Sequence, residues 1–166
     1  SPVIHQAMLD SLGIHCLYKK IHVPAGTVSG WLSSSETGNL AGFNATMPHK
    51  TDLLPLMDTL SEDAVMYHSV NTVVLRDGMR HGYNTDGSGF LRSLIDEEIH
   101  PEGARAVVFG AGGASRSVAL KLAMSGAESV TICCRTPAKA AGLAAASPLI
   151  RLSGLSRQET DTALSS

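Results

Sequence analysis

The sequence predicts an α/β protein with two domains, an N-terminal α/β domain over residues 1–100 and a partial Rossmann-like domain over residues 101–166. Short apolar runs alternate with segments in which apolar residues recur at helical spacing, which is the pattern of an α/β fold. Residues 106–134 have the order strand, glycine-rich turn, helix, strand, and this order predicts a βαβ unit. Pro101 and Gly103 interrupt the pattern between the two halves and mark the predicted domain boundary.

Local signals predict the elements of the first domain. Ser1 is a good helix N-cap and Pro2 suits the first helical position, and Gly13 ends the same helix. The dipeptide Asp77-Gly78 is a strong hairpin signal. After the first helix the predicted order is strand 14–23, weak helix 24–35, strand 40–46, a helical segment 52–57 interrupted by Pro55, a short helix from Ser61, hairpin strands 70–75 and 80–83, and helix 86–99.

The second domain is predicted from a buried strand, a turn and an amphipathic helix. Apolar residues at 106–109 are typical of a buried parallel strand, and residues 115–124 of the helix that follows. The second strand covers 130–134, and residues 148–152 are a weaker third candidate. Residues 157–166 are polar and are interpreted as a frayed helix or tail.

Composition and charge exclude several classes of function. The net charge is −2 and no long run of like charge occurs, so nothing predicts binding to nucleic acid or to a membrane surface. No apolar stretch is long enough for a transmembrane helix. Cys16, Cys133 and Cys134 are odd in number and do not form a disulfide pattern, so we expect reduced cysteines in a cytoplasmic protein. The seven histidines lack metal-ligand spacing, and we expect no metal site.

Polar residues occur where strands end and helices begin. Thr46 and Lys50 follow one strand, and Asp86 leaves another. Small molecules bind at the carboxyl ends of strands in open α/β sheets, so these residues are candidate ligands. Asn71 lies inside an apolar strand, where a polar side chain requires a partner. The alternatives are that Lys50 is an ordinary solvated lysine and that Asp86 is only a helix N-cap.

A glycine-rich turn predicts a dinucleotide site in the second domain. The turn comprises Gly110, Ala111, Gly112, Gly113 and Ala114, between a strand and a helix. In that context glycines allow a pyrophosphate to approach the backbone, and the helix N-terminus attracts it.

The end of the second strand predicts which dinucleotide is bound. Arg135, Thr136 and Lys139 follow this strand, and no acid is present there to bind a ribose 2′-hydroxyl. Two cations and a hydroxyl suit the 2′-phosphate of NADP, which an arginine grips bidentately. The alternative is that Arg135 and Lys139 are solvated loop charges.

Four motifs together resemble one family. N-A-T-M-P-H-K at 44–50, S-V-N-T-V at 69–73, G-Y-N-T-D-G-S-G-F at 82–90 and the glycine-rich turn resemble, in order and spacing, the motifs of the shikimate dehydrogenase family. The resemblance covers the chain up to about residue 146. It implies NADP-dependent, reversible reduction of 3-dehydroshikimate to shikimate, in the route to aromatic amino acids.

The resemblance also implies roles for individual residues. Lys50 and Asp86 are the implied catalytic pair, and which of them exchanges the proton is left open. The implied substrate-binding residues are Ser1, Thr46, Lys50, Asn71 and Asp86. The implied cofactor-binding residues are Gly110, Ala111, Gly112, Gly113, Ala114, Arg135, Thr136 and Lys139. Asn44 is expected to brace its loop, and Tyr83 and Asn84 to shape a turn.

Departures from the family pattern keep alternatives open. His68-Ser69 stands where the family usually has Gly-Ala, so quinate or an amino-substituted shikimate is an alternative substrate. Cys134 replaces an asparagine and weakens the NADP prediction. A first strand and the second half of the cofactor domain are absent, so we expect a truncated or incompletely observed chain. A non-catalytic remnant, or the same fold with a one-carbon folate, are further alternatives. We expect a monomer or homodimer.

Overall fold

A computed structural model describes residues 2–154, 159, 162, 164 and 165, and leaves the side chains at 139 and 140 undescribed. The chain divides into two compact units, Ser1–Gly38 and Asn39–Ser166. This division falls earlier than the predicted domain boundary at residue 100, which stays a prediction.

The first unit is mostly irregular. Helix α1 covers Pro2–Ser11 and ends before Gly13, whose φ of +67° explains the glycine. Helix α2 covers only Val28–Leu32 of the predicted 24–35. A one-turn 3-10 helix at Ser35–Thr37 follows it.

The strand predicted at 14–23 is wrong, because this segment is irregular. Two hydrogen bonds from one side chain take the place of a ladder. Gln6 Nε2 donates to the carbonyl of Cys16 at 3.0 Å, and Gln6 Oε1 accepts from the N–H of Tyr18 at 2.9 Å. The ring of His5 stacks on that of Tyr18 with centroids 4.4 Å apart. A strand needs a neighbouring strand to bind its backbone, and none of the described residues of this unit provides one.

The second unit contains two sheets. The first sheet has four strands in the order β1-β3-β4-β2. They are β1 (Gly42–Asn44), β2 (Thr59–Leu60), β3 (Thr72–Arg76) and β4 (Met79–Tyr83). β3 is antiparallel to both β1 and β4, and β2 runs parallel to β4. The predicted hairpin is confirmed, since Asp77 and Gly78 connect its strands with φ of +54° and +74°.

Two helices follow the strands of the first sheet. Helix α3 covers Glu62–Tyr67, and the hydroxyl of Ser61 caps it by accepting from the N–H of Ala64 at 3.2 Å. Helix α4 covers Asp86–Asp96, shorter than the predicted 86–99. The helical segment predicted at 52–57 is largely wrong. The chain makes turns there and only one 3-10 turn at Leu54–Leu56, because its central residue is a proline.

The second sheet confirms the predicted βαβ unit. Its strands are β5 (Arg105–Phe109), β6 (Ser129–Cys133) and β7 (Ile150–Ser153), all parallel and in that order. Helix α5 (Gly113–Met124) connects the first two, and α6 (Ala141–Ala146) precedes the third. β5 is less buried than predicted. Phe109 is 58% exposed, because the described sheet leaves β5 at its edge. The prediction for 157–166 lies largely outside the described residues.

One apolar core joins elements from both predicted domains. Tyr67 of α3 is fully buried against α5 and β6 residues such as Leu120 and Ile132. Phe90 and Leu94 of α4 pack against the same cluster. α4 therefore lies against α5, and Gly87 near the start of α4 lies close to the carbonyl of Ser117 in α5. None of the helices among the described residues is long and apolar enough to cross a membrane.

Candidate active site

An ion pair joins two distant segments of the second unit. Lys50 Nζ donates to Asp86 Oδ2 at 2.6 Å, across 36 positions of sequence. The two side chains are 20% and 22% exposed, so both are partly withdrawn from water yet accessible. An ion pair with this geometry is stronger than one on an open surface. It also rules out the interpretation of Lys50 as an ordinary solvated lysine.

The local structure around the pair differs from the prediction. Lys50 lies in a turn rather than at the start of a helix, and its carbonyl accepts from the N–H of Val70 at 2.8 Å. Asp86 is the first residue of α4, whereas the N-cap position is occupied by Thr85. Asp86 is therefore not an N-cap, and its carboxylate is directed to other partners.

Asn71 completes the coordination of the carboxylate. Its Nδ2 donates to Asp86 Oδ1 at 2.7 Å, so both oxygens of the carboxylate are bound. A carboxylate only accepts, which places Nδ2 on this side of the amide. Asn71 Oδ1 accepts from the N–H of Thr85 at 3.0 Å and from the hydroxyl of Thr72 at 2.9 Å. The partner that the sequence required for this buried asparagine is thus present.

The loop that carries Lys50 is attached to the same network. Asn44 Nδ2 donates to the hydroxyl of Thr72 at 3.0 Å, in agreement with a bracing role. Thr46 is exposed between β1 and Lys50, and its carbonyl accepts from the N–H of His49 at 3.0 Å. Ser1, the remaining predicted substrate ligand, lies outside the described residues.

The glycine-rich turn is open to a ligand. Gly110 has φ of +98°, which only glycine adopts without strain, and Gly112 occupies the N-cap of the 12-residue helix α5. A Cβ built on Gly112 would have no neighbour within 4 Å. Ala111 and Ala114 are exposed beside it. The backbone here leaves room for a pyrophosphate at a helix N-terminus, so the geometry fits the predicted group.

The residues predicted to select NADP follow the neighbouring strand. β5 and β6 are adjacent and parallel, and Phe109 and Cys133 are opposite each other where they end. Arg135 and Thr136 follow β6, separated from it by Cys134, and are exposed. They therefore lie at the carboxyl ends of the strands, on the same side of the sheet as the glycine-rich turn. The side chain of Lys139 is not among those described.

Two residues beside the pair were missed as contributors. Thr85 binds Asn71 through its N–H, and Asn71 Nδ2 also donates to its hydroxyl at 3.1 Å. Asn84 was expected only to shape a turn, but it is 3% exposed and its Oδ1 accepts from the N–H of Asp86 at 3.0 Å. The signal for both was the N-T-D run itself, since three consecutive polar residues in a half-buried strand end require partners.

The side chain of Tyr67 lies against Gly87, the residue that follows Asp86. Burial raises the pKa of Tyr67 to about 12, and the Asp63 carboxylate adds to the effect, so the phenol stays neutral. A Cβ built on Gly87 would lie 2.8 Å from the Tyr67 hydroxyl and 3.0 Å from the carbonyl of Ser117. Gly87 thus allows α4 to approach both α3 and α5 closely.

Asp58 is a further group with a shifted pKa, and its carboxylate pairs with Arg80. Asp58 is on the surface, where a hydrogen bond from the N–H of Arg80 lowers the pKa of its carboxyl. The described part of the chain contains no group of three or more metal-ligating side chains.

Comparisons with known proteins agree with the motifs. Residues 1–73 match the family model for the shikimate dehydrogenase substrate binding domain. A shikimate dehydrogenase (NADP(+)) of Alkaliphilus metalliredigens strain QYMF is 45% identical over 136 residues, which cover 82% of this chain and 48% of that protein. The chain therefore spans about half the length of this curated relative.

Solved structures give the same result for the fold. The shikimate 5-dehydrogenase of Thermus thermophilus, in complex with NADP(H) and shikimate, is 34% identical with a TM-score of 0.82. The match covers 94% of this chain and 63% of that one. The ligand-free 5-ketofructose reductase of Gluconobacter sp. strain CHM43 is 32% identical with a TM-score of 0.83, over 93% of this chain and 57% of that one. From its motifs, the matched domain model and these relatives, the chain belongs to the shikimate dehydrogenase family.

Proposed function

We propose that the protein is an NADP-dependent oxidoreductase that interconverts 3-dehydroshikimate and shikimate. The observation that carries the proposal is the Lys50–Asp86 ion pair, partly buried and held by Asn71. Oxidation of a secondary alcohol needs a hydride acceptor and a group that takes the hydroxyl proton. NADP supplies the hydride chemistry when bound, and the pair supplies the proton transfer.

The geometry suggests how the pair works. In the reducing direction, the Lys50 ammonium donates a proton from Nζ to the forming alkoxide. Asp86 orients the ammonium through Oδ2 and supports its charge, while Asn71 holds Oδ1 and so fixes the plane of the carboxylate. The proposal assigns the proton transfer to the pair as a unit, because Lys50 Nζ and Asp86 Oδ2 are joined by a hydrogen bond of 2.6 Å. Thr46, Asn71 and Asp86 bind ring hydroxyls of the substrate in this proposal, and Ser1 binds its carboxylate.

The proposed cofactor site combines backbone N–H groups at the start of α5 with cationic side chains that follow β6. The N–H groups that open α5 bind the pyrophosphate, and the open space at Gly112 admits it. Arg135, Thr136 and Lys139 bind the 2′-phosphate, which distinguishes NADP from NAD. The proposal also includes a cytoplasmic location. It includes a monomeric or homodimeric state, and light scattering would measure the molar mass that distinguishes the two.

A second candidate is reduction of a different polyhydroxylated ketone. The similarity to a 5-ketofructose reductase, at 32% identity, favours it, because the same fold occurs in a protein named for another substrate. The His68-Ser69 departure supports it only weakly. Ser69 is 1% exposed, and His68 ends α3 with φ of +52° and an exposed side chain.

The experiment measures NADP⁺ reduction by this chain with shikimate or with quinate and, in parallel, NADPH oxidation with 5-ketofructose. We expect turnover with shikimate, and a loss of about 10²–10⁴ in kcat for Lys50→Ala. Lys20→Ala, at an exposed lysine of the first unit, is the matched control and should retain activity. Turnover with 5-ketofructose alone would favour the second candidate. Equal turnover in Lys50→Ala would refute the role of the pair.

A further inference from the structure

Asn84 is a buried side chain that the proposed mechanism does not use. It lies at the end of β4 and is 3% exposed. Its Oδ1 accepts from the N–H of Asp86 at 3.0 Å, a bond that asparagine often makes in turns. Its Nδ2 donates to the carbonyl of Ser69 at 2.9 Å, across 15 positions of sequence. The second bond is not part of a local turn, so Asn84 connects two separate segments.

The segment bound by Nδ2 holds both members of the ion pair. Residues 69–71 directly precede β3. The N–H of Val70 donates to the carbonyl of Lys50 at 2.8 Å, and Asn71 Nδ2 donates to Asp86 Oδ1 at 2.7 Å. A displacement of this segment would therefore move the lysine backbone and release the carboxylate together. The buried asparagine amide fixes the segment to the start of α4.

A third contact reaches helix α5. Ser117 is fully buried in α5, and its hydroxyl lies 3.5 Å from Asn84 Oδ1 and 3.3 Å from the carbonyl of Gly113. One hydroxyl proton serves one of these acceptors at a time. Gly113 is the first residue of α5 and is itself part of the glycine-rich turn. The buried Asn84 amide thus contacts α5, the helix whose N-terminus forms part of the proposed cofactor site.

We propose that Asn84 is a positioning residue that fixes the position of the Lys50–Asp86 pair relative to the start of α5. It acts through the Ser69 carbonyl on one side and the Ser117 hydroxyl on the other. The inference rests on the proposed function, because the pair and the turn are its catalytic and cofactor sites. Buried networks of this kind are sensitive to the loss of one member, since the remaining groups are left unpaired.

Lysine labelling tests the proposal without requiring turnover. Acetic anhydride reacts with free amines, and a paired, 20% exposed Lys50 should react slowly. Mass spectrometry gives the labelling rate of Lys50 relative to that of exposed Lys20. Asp86→Asn serves as the reference for a broken pair. We expect Asn84→Ala to raise the Lys50 rate by about fivefold, the population change that corresponds to one net hydrogen bond, and Ser117→Ala to raise it less.

A matched control separates positioning from general destabilisation. Val118→Ala removes two methyl groups from the same helix without touching the network, and should lower the melting temperature but leave the Lys50 rate unchanged. In active protein, Asn84→Ala should lower kcat more than it raises KM. A Lys50 rate equal to wild type in folded Asn84→Ala would overturn the proposal. Should that variant not fold, nearly isosteric Ser117→Ala carries the test, and an unchanged rate there would overturn it. Absence of turnover in the wild type, with the labelling pattern intact, counts against the proposed function alone.

Discussion

The contacts around Lys50 and Asp86 are made by side chains, whereas the glycine-rich turn presents backbone groups to open space. Both oxygens of the Asp86 carboxylate are bound, by Lys50 at 2.6 Å and by Asn71 at 2.7 Å. At Gly112 an added Cβ would touch nothing within 4 Å. The first region is held in place by contacts within the protein, as proton transfer at a defined atom requires. The second keeps N–H groups available for an anion. Substitutions in the two regions should therefore fail in different ways.

The largest effect is expected at the carboxylate. Asp86→Asn keeps the size of the side chain but removes the charge that orients Lys50. We expect kcat to fall by about 10²–10⁴ with little change in the KM of NADP⁺, because the glycine-rich turn is untouched. Steady-state kinetics with circular dichroism as the folding control measure this. A rise in the NADP⁺ KM with kcat preserved would erase the distinction between the regions.

A substitution of Arg135 should change the KM of NADP⁺ rather than kcat. Arg135→Ala removes an exposed guanidinium after β6 and leaves the ion pair intact. We expect the KM of NADP⁺ to rise about 10- to 100-fold, the range for loss of a charged hydrogen bond, with no change for NAD⁺. Arg76→Ala, at another exposed arginine, is the control. An equal loss for both dinucleotides would show that Arg135 does not recognise the 2′-phosphate.

Two glycines compare a crowded position with an open one. In Gly87→Ala the new methyl group would lie 2.8 Å from the Tyr67 hydroxyl and 3.0 Å from the carbonyl of Ser117, so we expect a loss of about 1–3 kcal/mol of unfolding free energy. In Gly112→Ala the methyl group meets no protein atom, and we expect an unchanged stability with weaker NADP⁺ binding. Urea unfolding and cofactor titration measure the two quantities. Similar losses of stability in both variants would contradict the difference in packing.

Tyr67 gives a prediction for alkaline pH. Its pKa of about 12 lies above the ordinary value of 10, so the folded state holds the phenolic proton more tightly than the unfolded state. This contribution to stability is complete below pH 10 and is lost as the pH rises through the folded pKa. Tyr67→Phe removes that dependence. The difference in unfolding free energy between wild type and variant, measured by urea unfolding, should therefore decline from pH 10 upwards; a constant difference would argue against burial of the phenol.

The smallest effect is expected at His68, which ends α3 with φ of +52°. A residue with a side chain is mildly strained there, and glycine is not. His68→Gly should raise the unfolding free energy by up to about 1 kcal/mol and leave turnover unchanged, because the His68 side chain is exposed. A change in substrate preference in this variant would instead support the second candidate function.

The sequence by itself determined the elements whose signals are local. The Asp77-Gly78 hairpin, the Ser61 cap and the strand–turn–helix around Gly112 all follow from residues within a few positions of one another. Such conformations depend on backbone preference and on neighbouring side chains, and these are visible in a short window of sequence.

Only the tertiary structure decided which polar groups meet. Lys50 and Asp86 are 36 positions apart, and the segment predicted as a strand at 14–23 is irregular, held in part by Gln6. Strand formation and side-chain pairing both need partners from elsewhere in the chain, and sequence spacing does not supply their positions. For the same reason the sequence predicts only a turn residue at Asn84, whereas the structure bonds its side chain to the Ser69 carbonyl, the Asp86 N–H and the Ser117 hydroxyl.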